Sequence, residues 1–407
     1  MAQDKRVWLV AGSRTPIGSF GRSLKTVAVD KLAAHSMTEA VRRAGISASA
    51  YDGIVLGHGY QSSYAPNTAR FAALNAGLPA SIPAMTVQRQ CGSGMEAAHL
   101  AANEIRLGNA ELMIAGGAES MSTIPYMLPG KLRWTGPIAN FKAFKFIKLG
   151  PRPVVATLAE NGLAVTNLIW DMKSVYMSGT AQRLADTYGI TRAQADEYSL
   201  RSQERANAAV KSGRFDREID PIGVPGKGFF SRDEHPRSTS LEKLTALSPV
   251  MKTRQITAGN SSGINDGACA LVLASKAKVE ELGLTPLAVI LDETVVGVDP
   301  EQMGLGPVAA IQKLLERNKL TLKDIDLVEI NEAFAAQYLA CEKLLGLDRE
   351  KANVNGGAIA LGHPIGMSGA RLLLTLAYEL KERGLKRGVA ALCIGGGMGI
   401  ATLIEAP

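Results

Sequence analysis

Residues 91–117 read CGSGMEAAHLAANEIRLGNAELMIAGG, and residues 366–396 read GMSGARLLLTLAYELKERGLKRGVAALCIGG. In both, a Ser-Gly pair (Ser93-Gly94, Ser368-Gly369) stands at the start of an Ala- and Leu-rich helical run, and a short apolar run leads into a Gly-Gly pair. The spacing is 22 residues from Gly94 to Gly116 and 26 from Gly369 to Gly395, which predicts a second helix about one turn longer than the first. A unit that returns in this form implies two similar halves made by duplication.

Working outward, short apolar segments alternate with helical ones, an α/β rather than an α+β pattern. VWLVAGSRTP (7–16), GIVLGHG (53–59), AMTVQRQ (84–90) and ELMIAGGAES (111–120) read as strands of the first half. LAVILDETVVGV (287–298), DLVEINEAF (326–334) and GVAALCIGGG (388–397) read as strands of the second. Helices are predicted over 29–45, 95–108, 308–318 and 369–384. Between the halves the chain turns polar, basic and rich in Pro and Ser, with one long helix in RAQADEYSLRSQERANAAVKSG, capped by Thr191 and stopped by Gly213. This segment reads as an insertion over the active face. The expected division is 1–118 with 250–276 for the first half, 119–249 for the insertion and 277–407 for the second half.

The bulk properties narrow the class. The 407 residues are 46% hydrophobic and 20% charged, ordinary for a globular protein with large cores. MAQDKRVWLVAG passes almost at once into an apolar strand, with no basic-then-apolar leader, and no apolar stretch approaches the length of a membrane span. Four cysteines, none in a CxxC pair, make neither a disulfide framework nor a zinc site, and the expectation is a cytoplasmic protein without a metal. The formal charge of +7 fits an anionic small molecule better than nucleic acid, because basic runs with interleaved aromatics are rare.

Two cysteines stand out. Cys91 in QRQCGSG precedes a helical run, whose N-terminus favours a thiolate, and Cys393 sits beside a glycine-rich turn. Between them lies Gly362-His363-Pro364, where the proline restricts the histidine to a positioned turn. A lone cysteine near glycine is ordinarily a small buried hydrophobe. Cys269 and Cys341, in apolar surroundings, keep that reading, and His35, His58, His99 and His235 read as surface or satisfied residues.

Five motifs alter the reading of Cys91 and Cys393: CGSG at 91, TAGNSSGINDGA at 257–268, NEAF at 331–334, GGAIALGHPIGMSGAR around His363 and CIGGGMG from 393. In order and spacing they resemble the thiolases, and the likeness runs nearly end to end from SRTPIGSFGRSL. The resemblance implies the thiolase fold: two pseudo-symmetric βαβαβαββ halves in a layered α-β-α-β-α architecture, with a loop domain that covers coenzyme A. It implies CoA thioesters as substrates, coenzyme A rather than any cofactor, and at least a homodimer, with a tetramer or a β-oxidation partner subunit open.

Carbon–carbon cleavage beside a thioester needs a nucleophile to hold the acyl group and a base to move a proton at the α-carbon. By resemblance, Cys91 is the acylated nucleophile, His363 deprotonates it, and Cys393 is the acid/base. One oxyanion would be held by His363 and a water placed by Asn331, the other by the backbone N–H groups of Cys91 and Gly395. Asn331 also reads as a cap for the helix beginning EAFAAQ. Ser262, Ala258, Met177, Tyr176 and Phe334 are the implied contacts to CoA and the acyl chain.

Substrate size is read from the insertion. Tyr176-Met177-Ser178 stands where acetoacetyl-CoA thiolases commonly carry His-Met-Gly, while Asn331-Glu332-Ala333-Phe334 departs from the His-Glu-Ala-Phe usual in β-oxidation-complex subunits. The preferred expectation is a degradative 3-ketoacyl-CoA thiolase of medium, long or bulky acyl range, with acetoacetyl-CoA synthesis as the alternative. A decarboxylating ketoacyl synthase does not need Cys393, and a non-catalytic lipid carrier does not need the intact set. Residues 131–152, which include NFKAFKFIKLG, pair aromatics with a lysine stripe, as would suit a membrane surface, a partner subunit or CoA phosphates.

Overall fold

A computed structural model of the chain describes residues 6–127, 160–161, 168–170 and 173–407. The basic aromatic segment 131–152 lies outside them. Among the described residues, no helix is long and apolar enough to cross a membrane.

The first half runs β1 (Val7–Arg14), α1 (Val29–Ala44), β2 (Gly53–Gly57), α2 (Thr68–Asn75), β3 (Ala84–Val87), α3 (Ser93–Arg106), β4 (Leu112–Ser120) and, after the long insertion, β5 (Asn265–Ala274). Within the insertion lie α4 (Met177–Tyr188) and α5 (Arg192–Lys211). The second half runs β6 (Ala288–Gly297), α6 (Gly306–Arg317), β7 (Leu327–Ile330), α7 (Ala335–Leu345), α8 (Ile365–Arg383), β8 (Arg387–Ile394) and β9 (Met398–Glu405).

Strand order makes the duplication plain. Along a ten-stranded sheet, β7-β8-β9-β6 is followed by β1-β5-β4-β2-β3, with Gly18–Ser19 as a short tenth member on β5. Each half repeats one pattern: β5 is antiparallel to β1 and β4, and β4 parallel to β2; β9 is antiparallel to β6 and β8, and β8 parallel to β7. The counterpart of β3 has shrunk to a parallel bridge between Val328 and Ala352. The halves join at their first strands, where Val7, Trp8 and Leu9 pair with Ile290, Val289 and Ala288.

Side-chain alternation sorts the strands into layers. Met113 and Ala115 of β4 face a central core shared by α3 and α8, whereas Leu112 and Ile114 face an outer core with α1 and α2. In the second half Ala390 and Leu392 face the centre, while Val389 and Ala391 face α6 and α7. The result is the five-layer α-β-α-β-α sandwich. From the insertion, Leu184 of α4 and Tyr198 of α5 join the outer core of the second half. Thr191 caps α5, with Gln194 closing the capping box.

The paired Ser-Gly steps mark where the central helices touch. A Cβ on Gly94 would stand 2.5 Å from the Gly366 carbonyl oxygen, and one on Gly369 would collide with the Met95 main chain. Only glycine lets two helix backbones approach this closely. With 14 residues in α3 and 19 in α8, the second helix is longer, as its spacing predicts. The Gly-Gly echo is looser than the sequence implies: Gly116 and Gly117 lie inside β4, whereas Gly395 and Gly396 form the turn after β8.

Candidate active site

Cys91 lies between β3 and α3, in a turn that the local sequence tightens. Gln90 adopts φ +44°, and Ser93 clamps the turn by accepting from the Arg89 N–H at 2.9 Å and donating to the Gln90 carbonyl at 2.6 Å. A Cβ on Gly92 would come 2.6 Å from Ile394, so this glycine lets the turn lie directly against the end of β8. Cys393, the neighbour of Ile394, is buried inside β8, one position before the strand ends. The two cysteines, so distant in sequence, thus meet where α3 starts and β8 stops.

His363 belongs to the short connection between Ala358–Leu361 and α8. Gly362 adopts φ +101°, and the His363 N–H donates to Asn265 Oδ1 at 2.9 Å. Nδ1 lies 2.6 Å from Ser368 Oγ, and Nε2 lies 3.4 Å from Asn331 Nδ2. The other amide atom, Asn331 Oδ1, is buried with no partner among the described residues, as suits an acceptor for one further donor such as a water. Asn331 does not cap α7: the chain bends at Ala333, and Phe334, extended, occupies the cap position without a side-chain bond.

Burial governs the proton affinities. It pushes the largely buried Cys91 thiol up to about 11, with the Glu119 carboxylate adding to the rise, against the nearby N–H groups of Gly395 and Cys91 itself. The thiolate expected from the helix N-terminus is therefore not the resting form. Burial, aided by the positive charge of Arg371, lowers His363 to about 4, leaving a neutral imidazole able to accept the proton. Cys393 is held well above the ordinary thiol value by burial and by Cys91 beside it.

The implied substrate contacts fall into two groups. Met177 and Phe334 pack with Met303 and Ala333 around Cys393. Tyr176, 41% exposed, stands just before α4 at the rim. Ala258 and Ser262 line an open cleft of about 630 Å³ with Phe20, Arg22, His235 and Arg237. The groups adjoin, because the Ser262 N–H donates to the Ala333 carbonyl at 2.9 Å.

Sequence reading missed several supports. Glu119 is buried and accepts from the N–H groups of Gly59, Tyr60 and Gly366, with His58 Nε2 3.2 Å away, so it ties the first half to the start of α8. Asn265 and Ser368 hold His363. His235, read as surface or satisfied, is of the satisfied kind: it is buried in the cleft wall with Nδ1 3.3 Å from Ser19 Oγ. The signal available for Ser368 was its place in the repeated Ser-Gly step.

Comparison with known proteins agrees with this construction. Residues 7–277 match the family described as the thiolase N-terminal domain, and residues 284–406 the thiolase C-terminal domain. An acetyl-CoA acetyltransferase of Cupriavidus necator is 45% identical over 406 residues, covering 98% of this chain and 99% of that protein. The crystal structure of the Bacillus anthracis acetyl-CoA acetyltransferase superposes with a TM-score of 0.92 at 45% identity, covering all of both chains. Human mitochondrial 3-ketoacyl-CoA thiolase in complex with CoA superposes at 0.90 with 41% identity, covering 99% of this chain and 98% of that one. The chain belongs to the thiolase family of acyltransferases.

Proposed function

We propose that the protein interconverts acetoacetyl-CoA plus coenzyme A with two molecules of acetyl-CoA. The observation that carries the two-carbon reading is its near-complete likeness, at 45% identity, to proteins named acetyl-CoA acetyltransferase. The apolar packing of Met177, Met303, Ala333 and Phe334 against Cys393 supports it, since it sets an apolar wall suited to a methyl group beside the reacting sulfur.

In the cleavage direction the Cys91 proton passes to His363 Nε2, and the sulfur attacks the ketone carbon. The bond between that carbon and the α-carbon breaks, the Cys393 thiol protonates the departing enolate, and acetyl-CoA leaves an acetyl thioester on Cys91. Coenzyme A then gives its thiol proton to the Cys393 thiolate and attacks that thioester, releasing the second acetyl-CoA, and His363 Nε2 returns its proton to the freed Cys91 thiolate. The N–H groups of Cys91 and Gly395 would hold one oxyanion, and His363 with Asn331 the other. Arg22 and Arg237 beside Ala258 and Ser262 suit the phosphates of coenzyme A.

A longer acyl chain is the second reading. Tyr176 favours it, and the human 3-ketoacyl-CoA thiolase is similar at 41% identity. Thiolysis rates across 3-ketoacyl-CoAs from four carbons upward separate the two: the proposal expects a maximum at acetoacetyl-CoA, and a maximum at a longer or branched chain overturns it. Incubation with acetyl-CoA should add one acetyl mass at Cys91, and C91S should abolish it.

A further inference from the structure

We infer that Ser368 is a positioning residue that selects the tautomer of His363, holding the proton on Nδ1 so that Nε2 is the free base. This rests on the proposed acyl transfer through Cys91. Ser368 Oγ lies 2.9 Å from the Pro364 carbonyl oxygen, which can only accept, so the single hydroxyl hydrogen points there. The same oxygen lies 2.6 Å from His363 Nδ1, which must then be the donor. Ser368 and His363 are 2% and 6% exposed, so water does not compete for the bond.

A second, independent contact agrees. The Asn331 amide nitrogen, a donor, faces Nε2 at 3.4 Å, an arrangement that suits a lone pair there. In the other tautomer two N–H groups would oppose each other in a buried site, and the Ser368 hydroxyl would have to leave Pro364 to serve Nδ1. When Cys91 gives its proton to Nε2, the Nδ1–H remains on Ser368 Oγ and the ring carries one positive charge. The Ser-Gly repeat thereby acquires two uses in the second half: Gly369 makes the helix contact, and Ser368 orients the base.

The test uses the intact enzyme. S368A should lower kcat for acetoacetyl-CoA thiolysis by roughly 10- to 100-fold, the range for losing an outer partner of a functional histidine, with KM for coenzyme A unchanged within about twofold. S368T, which keeps Oγ, should restore most of the rate. In wild type labelled with ¹⁵N-histidine, the His363 signal, assigned by its loss in H363N, should report a protonated Nδ1 and a bare Nε2. A folded S368A with unchanged kcat, or a wild-type spectrum with the proton on Nε2, overturns the inference. If wild type cleaves no 3-ketoacyl-CoA, the proposed function fails, while the spectrum still decides the tautomer. If S368A does not fold, S368T and that spectrum decide it.

Discussion

The main-chain N–H of Gly395 lies near enough to the sulfur of Cys91 to favour its thiolate, so the turn that follows Cys393 in the second half is an electrostatic brace on the thiol of the first. Burial outweighs this brace, and the resting pair is a neutral thiol with a neutral imidazole.

That balance sets how Cys91 reacts with alkylating agents. Below the thiol's pKa of about 11 the thiolate fraction rises tenfold per pH unit, so iodoacetamide incorporation at Cys91 should climb steadily between pH 6 and 9. A plateau beginning near pH 6 or 7, measured by peptide mass, would mean a resting thiolate–imidazolium pair instead.

The helix crossing should be the least tolerant part of the interior. In G94A the new methyl would stand 2.5 Å from the Gly366 carbonyl oxygen, a main-chain atom unable to swing aside, and a loss of about 3 kcal/mol or more is expected. G283A is the control: nothing among the described residues lies within 4 Å, and its φ of +61° makes the cost only about 1 kcal/mol. Thermal melts that rank the two variants equally would contradict the packing described for the crossing.

Removing the Glu119 carboxylate strands the N–H groups of Gly59, Tyr60 and Gly366. E119A should lose about 3 kcal/mol or more, because each buried unsatisfied donor costs about 1–3 kcal/mol, while E119Q, which keeps an accepting oxygen, should lose less. Urea midpoints of the two variants, with unchanged slope, are the measurement. A neutral E119A would assign the tie to other contacts.

His99 is buried between α3 and β9, 2.8 Å from Thr402 Oγ1, and burial together with Arg106, Arg89 and Arg317 lowers its pKa to about 3. The unfolded chain therefore binds this proton first as the medium is acidified. The neutral ring's contribution is complete above pH 6.5 and is lost as pH falls toward 3, by up to about 1.4 kcal/mol per unit. H99Q should accordingly be destabilised at pH 7, with its deficit shrinking between pH 6.5 and 4.5. Asp266, raised to about 6, and Glu329, raised to about 8, act with the opposite sign, but they cancel when variant and wild type are compared. A deficit independent of pH would place the His99 proton elsewhere.

Much of this architecture was legible because its signals are local. Short apolar strands, Thr191 before its helix and Gly213 after it, and the Ser-Gly steps declare themselves within a few residues. What escaped depends on distant partners. β5 pairs with β1 and β4 across the whole insertion, far in sequence from both, so NDGACALVLA read merely as core around Cys269. β9 was masked by the glycines before it. The nucleophile and base stood out by residue type and motif, whereas Glu119, Asn265 and Ser368 are common polar residues whose meaning lies in the atoms opposite them.

The contact between Gly94 and Gly366 sets one backbone directly against another, with no side chain between. Side chains are the springs of a protein interior, since they change rotamer to absorb a displacement; here there are none. At this point a push on α8 reaches α3 undamped, and the separation of the two helix starts that follow Cys91 and His363 is gauged there by peptide against peptide. The insertion can therefore drift in sequence and reshape the acyl pocket while the distance between thiol and imidazole stays calibrated.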